Sequence, residues 1–254
     1  NECKNCLLSQ KCIYSYVFET PPPQDTTIMR KYKAAPHPFI IEPPLEKKQG
    51  YTPHDVITFG LTLIGKAIDY LPYFIYTFDE LGNMGIGKGR GKYALKSVGA
   101  YCDTTFNSDN EIIYSSDTKT LKSFKPSILD LGPGILNSAS NSVKTAPIPY
   151  SLTLNFLTPA RLIYDGHLTL DLEFHMLIRQ LLRRISLLSY FHCGVDLSDW
   201  DFKGIIERAK DVTVKKSGLK WYDWKRYSAR QDTKMSMGGF VGEISFEGDI
   251  GPFM

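Results

Sequence analysis

His175, Arg179 and Arg183 follow one another at steps of four within a predominantly apolar run, Glu173 to Tyr190. On a helix that spacing lines three donors along one edge, where they could pair with successive anionic oxygens such as those of a phosphodiester backbone. An ordinary solvated face looks the same, so the row needs support from its neighbours. Trp221, Tyr222, Trp224 and Tyr227 provide it by interleaving with Lys220, Lys225, Arg226 and Arg230. Such a mixture can stack on unpaired bases while pairing phosphates. Arg226, Ser228, Arg230 and Gln231 are the expected contacts, and Trp221 and Trp224 serve packing equally well. Earlier, Gly85, Gly87, Gly89 and Gly91 alternate around Lys88 and Arg90 and precede Lys92. Nucleotide-binding loops lie between a strand and the helix that follows it, and the P-loop kind ends in Gly-Lys-Ser/Thr. Here a helical pattern precedes the glycines, an alternating one follows, and no such triplet occurs. The loop is therefore read as bare backbone lying against a polyanion, with Lys88, Arg90 and Lys92 supplying charge.

Cys3, Cys6 and Cys12 include a Cys-x-x-Cys pair. Three thiolates could hold a structural zinc ion or iron–sulfur cluster if a fourth ligand exists. Cys102 and Cys193 read as buried small residues. Among five histidines, His37 stands out because Pro36 and Pro38 pin its backbone and could aim the ring. His192, at the end of the basic helix, reads as a cap on its last carbonyls. No Ser-His-Asp spacing or His-Glu-x-x-His motif supports a protease.

These residues belong to a chain of 254 residues, 43% hydrophobic and 13% aromatic, enough for a folded core. A net charge of +3 leaves recognition of an anion to local clusters. No window approaches the ~20 apolar residues of a membrane span, and no signal pattern opens the chain. An intracellular, cytoplasmic protein with no membrane partner is expected.

The elements that must position the candidates follow from periodicity. Phe39 to Ile41 form a short strand between prolines, and Val56 to Ile64 a longer one. Apolar residues from Lys66 to Leu81 recur at three and four, a buried helix face in which Pro72 kinks or shortens the helix. Lys92 to Val98 alternate as a strand. Asp103 to about Thr145 have the composition of an insertion, with a hairpin around Glu111 to Tyr114. Leu152, Leu154 and Phe156 open a second unit; the helix through Tyr190 follows, with Ile178, Leu181, Leu182, Ile185 and Leu188 on one face, and Val212 to Trp221 begin a further strand region. Two strand-helix-strand units predict an α+β protein of tandem ferredoxin-like (RRM-like) domains, 1–145 and 146–254.

The basic helix, the run Trp221 to Gln231, and Gly238-Gly-Phe-Val-Gly-Glu-Ile-Ser-Phe-Glu-Gly248 together resemble the C-terminal domain of the CRISPR-associated endoribonuclease of the RAMP superfamily that processes precursor CRISPR RNA. Cys3 to Glu19, Pro36 to Phe39, Phe59 to Ile75 and the glycine loop extend the likeness. It implies cleavage of CRISPR repeat RNA to guide RNA without a catalytic metal, by 2′-hydroxyl attack leaving a 2′,3′-cyclic phosphate. It also implies partnership with repeat RNA and crRNA, with other Cas proteins or a fusion partner as further associates. Both ends look truncated against the family, and Tyr14 and Tyr16 stand where its first helix would end. His37 is the expected catalytic base or acid. A non-catalytic RNA-binding RAMP subunit of an effector complex is the alternative reading.

Overall fold

The computed structural model describes residues 3, 6–9, 11–23, 34–46, 48, 50–87, 89–100, 111–124, 150–228 and 233–253, with the side chains of 224–228 and 233–237 outside the description. The chain divides into two compact units, one made of Asn1–Asp130 with Leu187–Val195 and the other of Leu131–Ser186 with Asp196–Met254.

In the first unit β1 (Phe39–Glu42) pairs antiparallel with β2 (Gly60–Leu63), from Phe39↔Leu63 to Glu42↔Gly60. The strand expected from Val56 begins only at Gly60. Pro43 and Pro44 end β1 after four residues, so Val56 to Phe59 have no edge to pair with and lie exposed. A 3-10 turn over Gly65–Tyr70 leads into α1 (Leu71–Met84). Pro72 thus occupies the first turn, where its missing N–H costs nothing, and of the two expected outcomes, a kink or a shortened helix, the α-helix is the shorter one, starting at Leu71. Leu71 and Ile75 on its inner face meet Ile113, with Leu63, Val98 and Tyr114 around them.

After α1, β3 (Ser97–Ala100), β4 (Glu111–Ser115) and β5 (Thr120–Leu121) form a three-stranded sheet. The hairpin expected near Glu111 is present as β4 and β5. The strand expected from Lys92 starts later because Tyr93 is turned onto α1, its hydroxyl donating to the Phe78 carbonyl at 2.6 Å. The rest of the expected insertion, 101–110 and 125–149, lies outside the described residues. Among the described residues the strands of this unit make separate two- and three-stranded sheets.

The second unit opens with β6 (Ser151–Ala160), whose alternation turns Leu152, Leu154 and Phe156 towards the core. A two-residue Asp165-Gly166 turn, both residues at positive φ, joins β7 (Ile163–Tyr164) to β8 (His167–Leu168). Next come α2 (Phe174–Leu188), a π-helical turn over Ser189–Cys193 closed by Gly194 at φ 67°, and α3 (Phe202–Ala209). The Asp201 carboxylate caps α3 by accepting from the Gly204 N–H at 2.8 Å. The sequence reading had no helix here. Finally β9 (Thr213–Ser217) and β10 (Lys220–Ser228) pair with the long β11 (Thr233–Glu247) on the edge opposite β6.

β9 and β10 act as one strand bent at Gly218, beside Gly242 at φ 115°, where a Cβ would come within 2.6 Å of the Gly218 carbonyl oxygen. The spatial order, first strand, last strand, middle strand, is that of the βαββ portion of a ferredoxin-like sheet. Phe174, Phe240, Ile244, Phe246 and Ile250 are at most 1% exposed and form the core, with Phe174 edge-on to Phe246 at 5.1 Å. On α2, Ile178 and Leu182 join them as expected, but Leu181 is 46% exposed. The buried stripe is set by Phe174, Ile178 and Leu182 at steps of four, which leaves Leu181 to one side. No helix among the described residues is long and apolar enough to cross a membrane.

Candidate functional site

His37 is exposed, yet its backbone is held on both sides. Upstream, the Thr20 and Ala35 backbones exchange a hydrogen bond, Ala35 N–H to the Thr20 carbonyl at 2.8 Å, and the Thr20 hydroxyl returns one to the Ala35 carbonyl at 2.7 Å. Thr20 adopts φ 42°, a left-handed conformation that a β-branched residue keeps only where its surroundings fix it. Downstream, Pro38 is fully buried and its carbonyl accepts from Ile64 N–H at 2.9 Å. The imidazole itself stacks on Phe39 at 5.9 Å and 28°, and Phe18 and Phe74 meet the same ring at 5.6 and 5.7 Å. The result is a solvent-facing histidine on a rigid aromatic and backbone support.

Between these two sets of bonds, the Pro36 carbonyl accepts from Nε2 of His192 at 2.7 Å, and the His192 Nδ1 meets the Tyr16 hydroxyl at 3.0 Å. His192 is 3% exposed. The cap expected of it is therefore corrected: its ring turns away from the helix carbonyls and ties the Tyr16 turn and the Pro36 segment together. Burial, then the Tyr70 phenol, pushes the Tyr16 hydroxyl up to about 12, so it keeps its proton at any physiological pH. No spacing could reveal this pair, since Tyr16 and His192 are 176 positions apart.

Gly65 completes the arrangement at φ 56°; a Cβ there would meet the His192 carbonyl oxygen at 2.1 Å. Gly65→Ala combines a disfavoured backbone conformation with a clash against main chain. It is expected to destabilise the protein by about 3 kcal/mol, a fall of roughly 6–12 °C in melting temperature by differential scanning calorimetry.

The glycine-rich loop is a tight hairpin tip, Ile86 and Gly91 exchanging both backbone hydrogen bonds and Arg90 N–H reaching the Gly87 carbonyl. Arg90 and Lys92 are exposed there, and Lys88 lies outside the described residues. Along α2 the predicted row divides. Arg179 and Arg183 are exposed, whereas the His175 side chain is 12% exposed, paired through Nε2 with Glu173 at 2.7 Å and edge-on to Tyr164. That partner makes His175 the least accessible of the three.

β10 and β11 extend past Phe240↔Ala160, the last pairing with β6, as a two-stranded arm from Tyr222↔Gly239 to Ser228↔Thr233. Arg226 and Ser228 lie in that arm, and Arg230 and Gln231 fall outside the described residues. At the arm's base the Trp221 ring lies across Gly238, where a Cβ would come within 2.5 Å of it, and its N–H donates to Asp223 at 2.9 Å. Trp221 is thus held by packing, while Tyr222 beside it is 52% exposed.

Cys3, Cys6 and Cys12 carry free thiols. Cys3 and Cys6 close their own turn, whereas Cys12 opens the helical turn towards Tyr16. Among the described residues no group of three or more His, Cys, Asp or Glu is placed to hold a metal ion, so the zinc or iron–sulfur site expected at the cysteines has no support.

Residues 154–254, which contain β11 and its partners, α2 and the arm, match the family model described as CRISPR-associated endoribonuclease Cas6. Residues 1–126 match a second model, AF_1859_N, described as an N-terminal domain. A solved Cas6 product complex is similar over 84% of this chain and 69% of that one, at 15% identity and a TM-score of 0.46. A second Cas6 product complex is similar over 45% of this chain and 40% of that one, at 20% identity and a TM-score of 0.26. No curated protein matches. Arg179, Arg183 and the β10–β11 arm accordingly lie inside the Cas6 match, and His37, Arg90 and Lys92 inside the N-terminal one.

Proposed function

We propose that the protein is an endoribonuclease that cleaves CRISPR repeat RNA to mature guide RNA, without a catalytic metal, through the ribose 2′-hydroxyl. The observation that carries the reading is the exposed imidazole of His37 on a backbone held on both sides, in a chain whose residues 154–254 match the Cas6 family model. In this reaction the 2′-hydroxyl loses its proton to a base, its oxygen bonds to phosphorus, the P–O5′ bond breaks, and an acid protonates the departing 5′-oxygen. The products are a 2′,3′-cyclic phosphate and a 5′-hydroxyl, with no oxidant, reductant or water consumed. His37 serves as base or acid, and cations balance the charge that builds on the phosphoryl oxygens. Arg90 and Lys92 with Lys88, Arg179 and Arg183, and the arm residues Arg226, Ser228, Arg230 and Gln231 form the surfaces that hold the RNA.

A specific observation favours a second reading, a guide-holding RNA-binding subunit that does not cut. Among the described residues no Lys, Arg or His is hydrogen-bonded to His37 as a second acid or base. One experiment separates the two: incubation in EDTA with the cognate repeat RNA and with copies bearing a single 2′-deoxy substitution at each position. Cleavage of the all-ribose RNA, abolished by one deoxy substitution, is the expected result. Tight binding with no cleavage of any RNA would establish the second reading.

A further inference from the structure

We propose that His192 is a positioning residue for His37, acting through the Pro36 carbonyl, with the Tyr16 hydroxyl holding its other ring nitrogen. The inference rests on the reading of His37 as a catalytic group. A carbonyl oxygen can only accept, so the 2.7 Å contact with Pro36 requires the proton of His192 on Nε2. Nδ1 of the neutral ring is then the acceptor, and the Tyr16 hydroxyl at 3.0 Å is its donor. Both ring nitrogens are committed, and the tautomer follows from the geometry.

The bond matters for His37 because the Pro36 C=O and the His37 N–H belong to one planar peptide unit. Holding that oxygen fixes the rotation of the plane from which the His37 Cα–Cβ bond projects. The flanking bonds at Ala35 and Pro38 fix where the segment runs; the His192 bond fixes how the peptide between Pro36 and His37 is turned. It is also the hold on His37's own peptide that comes from a side chain, one 156 positions away.

The test is single-turnover cleavage of repeat RNA, with RNA affinity measured on the same proteins. A misplacement of about 1 Å can cost ~10²-fold in rate, and His192→Leu is expected to slow cleavage by about that factor with affinity within about twofold. His192→Gln, whose terminal N–H can reach the same carbonyl, is expected to recover most of the rate. Tyr16→Phe, which removes only the hydrogen bond to Nδ1, should slow cleavage by about 3–10-fold, in line with one lost hydrogen bond. Combined with His37→Ala, His192→Leu should add no further loss to the residual rate.

Cleavage by His192→Leu within about twofold of the unmodified protein would overturn the positioning role, as would a full further loss in the double variant. If His192→Leu does not fold, the Gln and Phe variants decide, and a Tyr16→Phe rate equal to the unmodified one with no recovery by Gln overturns it. His37→Ala alone tests the reading beneath: if it cleaves at the unmodified rate, that reading fails whatever the His192 variants do.

Discussion

His37→Ala is expected to lower the single-turnover rate of repeat-RNA cleavage by about 10²–10⁴-fold, the range that removal of a general acid or base commands. RNA affinity should change by no more than about twofold, because the imidazole is one exposed ring and the proposed phosphate contacts are other residues. The structural cost should be small as well. His37 is exposed, and its support comes from Ala35, Pro36, Pro38 and Phe39, all retained in the variant. Calorimetry should therefore show an unchanged melting transition alongside the lost activity. Added imidazole should restore part of the rate, since the vacated place faces solvent. An unchanged rate would remove His37 from the chemistry and leave the guide-holding reading in front.

The second large effect is expected on binding. Arg179 and Arg183 are exposed one turn apart on α2, so a backbone tracking that edge could meet both. If each neutralises one phosphate, the Arg179→Gln/Arg183→Gln variant should flatten the dependence of log affinity on log salt concentration by about 1.4 for single-stranded contacts or about 1.8 for duplex contacts. Affinity at low salt should fall by at least about tenfold, with the cleavage rate of saturated complex little altered. The measurement is fluorescence anisotropy of labelled repeat RNA across a salt series. An unchanged slope would mean that the two guanidinium groups face water in the complex. His175 belongs to a different class, since its Nε2 is already paired with Glu173 and it is largely covered; replacing it should leave the slope as it was.

The local elements were the legible ones, and for one reason: their signals come from neighbours in sequence. Alternation in Leu152, Leu154 and Phe156 gave β6, the pattern around Glu111 gave a hairpin, and apolar spacing gave α1 and α2. Where a local signal depended on a distant partner, the reading strayed. Val56 to Phe59 have strand-like residues, but the prolines after Glu42 end the strand they would pair with. Leu181 has helical spacing with Ile178 and Ile185, but the sheet's Phe240, Ile244 and Phe246 select the stripe through Phe174, Ile178 and Leu182. α3 was passed over although Asp201 caps it and Phe202, Ile205, Ile206 and Ala209 recur at three and four, a local signal that was there to be read.

The sequence by itself determined that the C-terminal segments have the wording of a CRISPR RNA-processing domain, and residues 154–254 bear this out. It also determined where basic residues recur at helical spacing and where glycines loosen the chain, because these depend on residue type and interval alone. Only the tertiary structure decided which histidine faces solvent and which is buried. His37 and His192 are both flanked by residues that would fit either role, and the difference arises from contacts made across 156 and 176 positions, with Pro36 and Tyr16. It also decided that Cys3, Cys6 and Cys12 join no metal-ligand group among the described residues. Convergence of side chains in space is set by how turns direct the backbone, and a spacing of cysteines fixes only how many residues separate them.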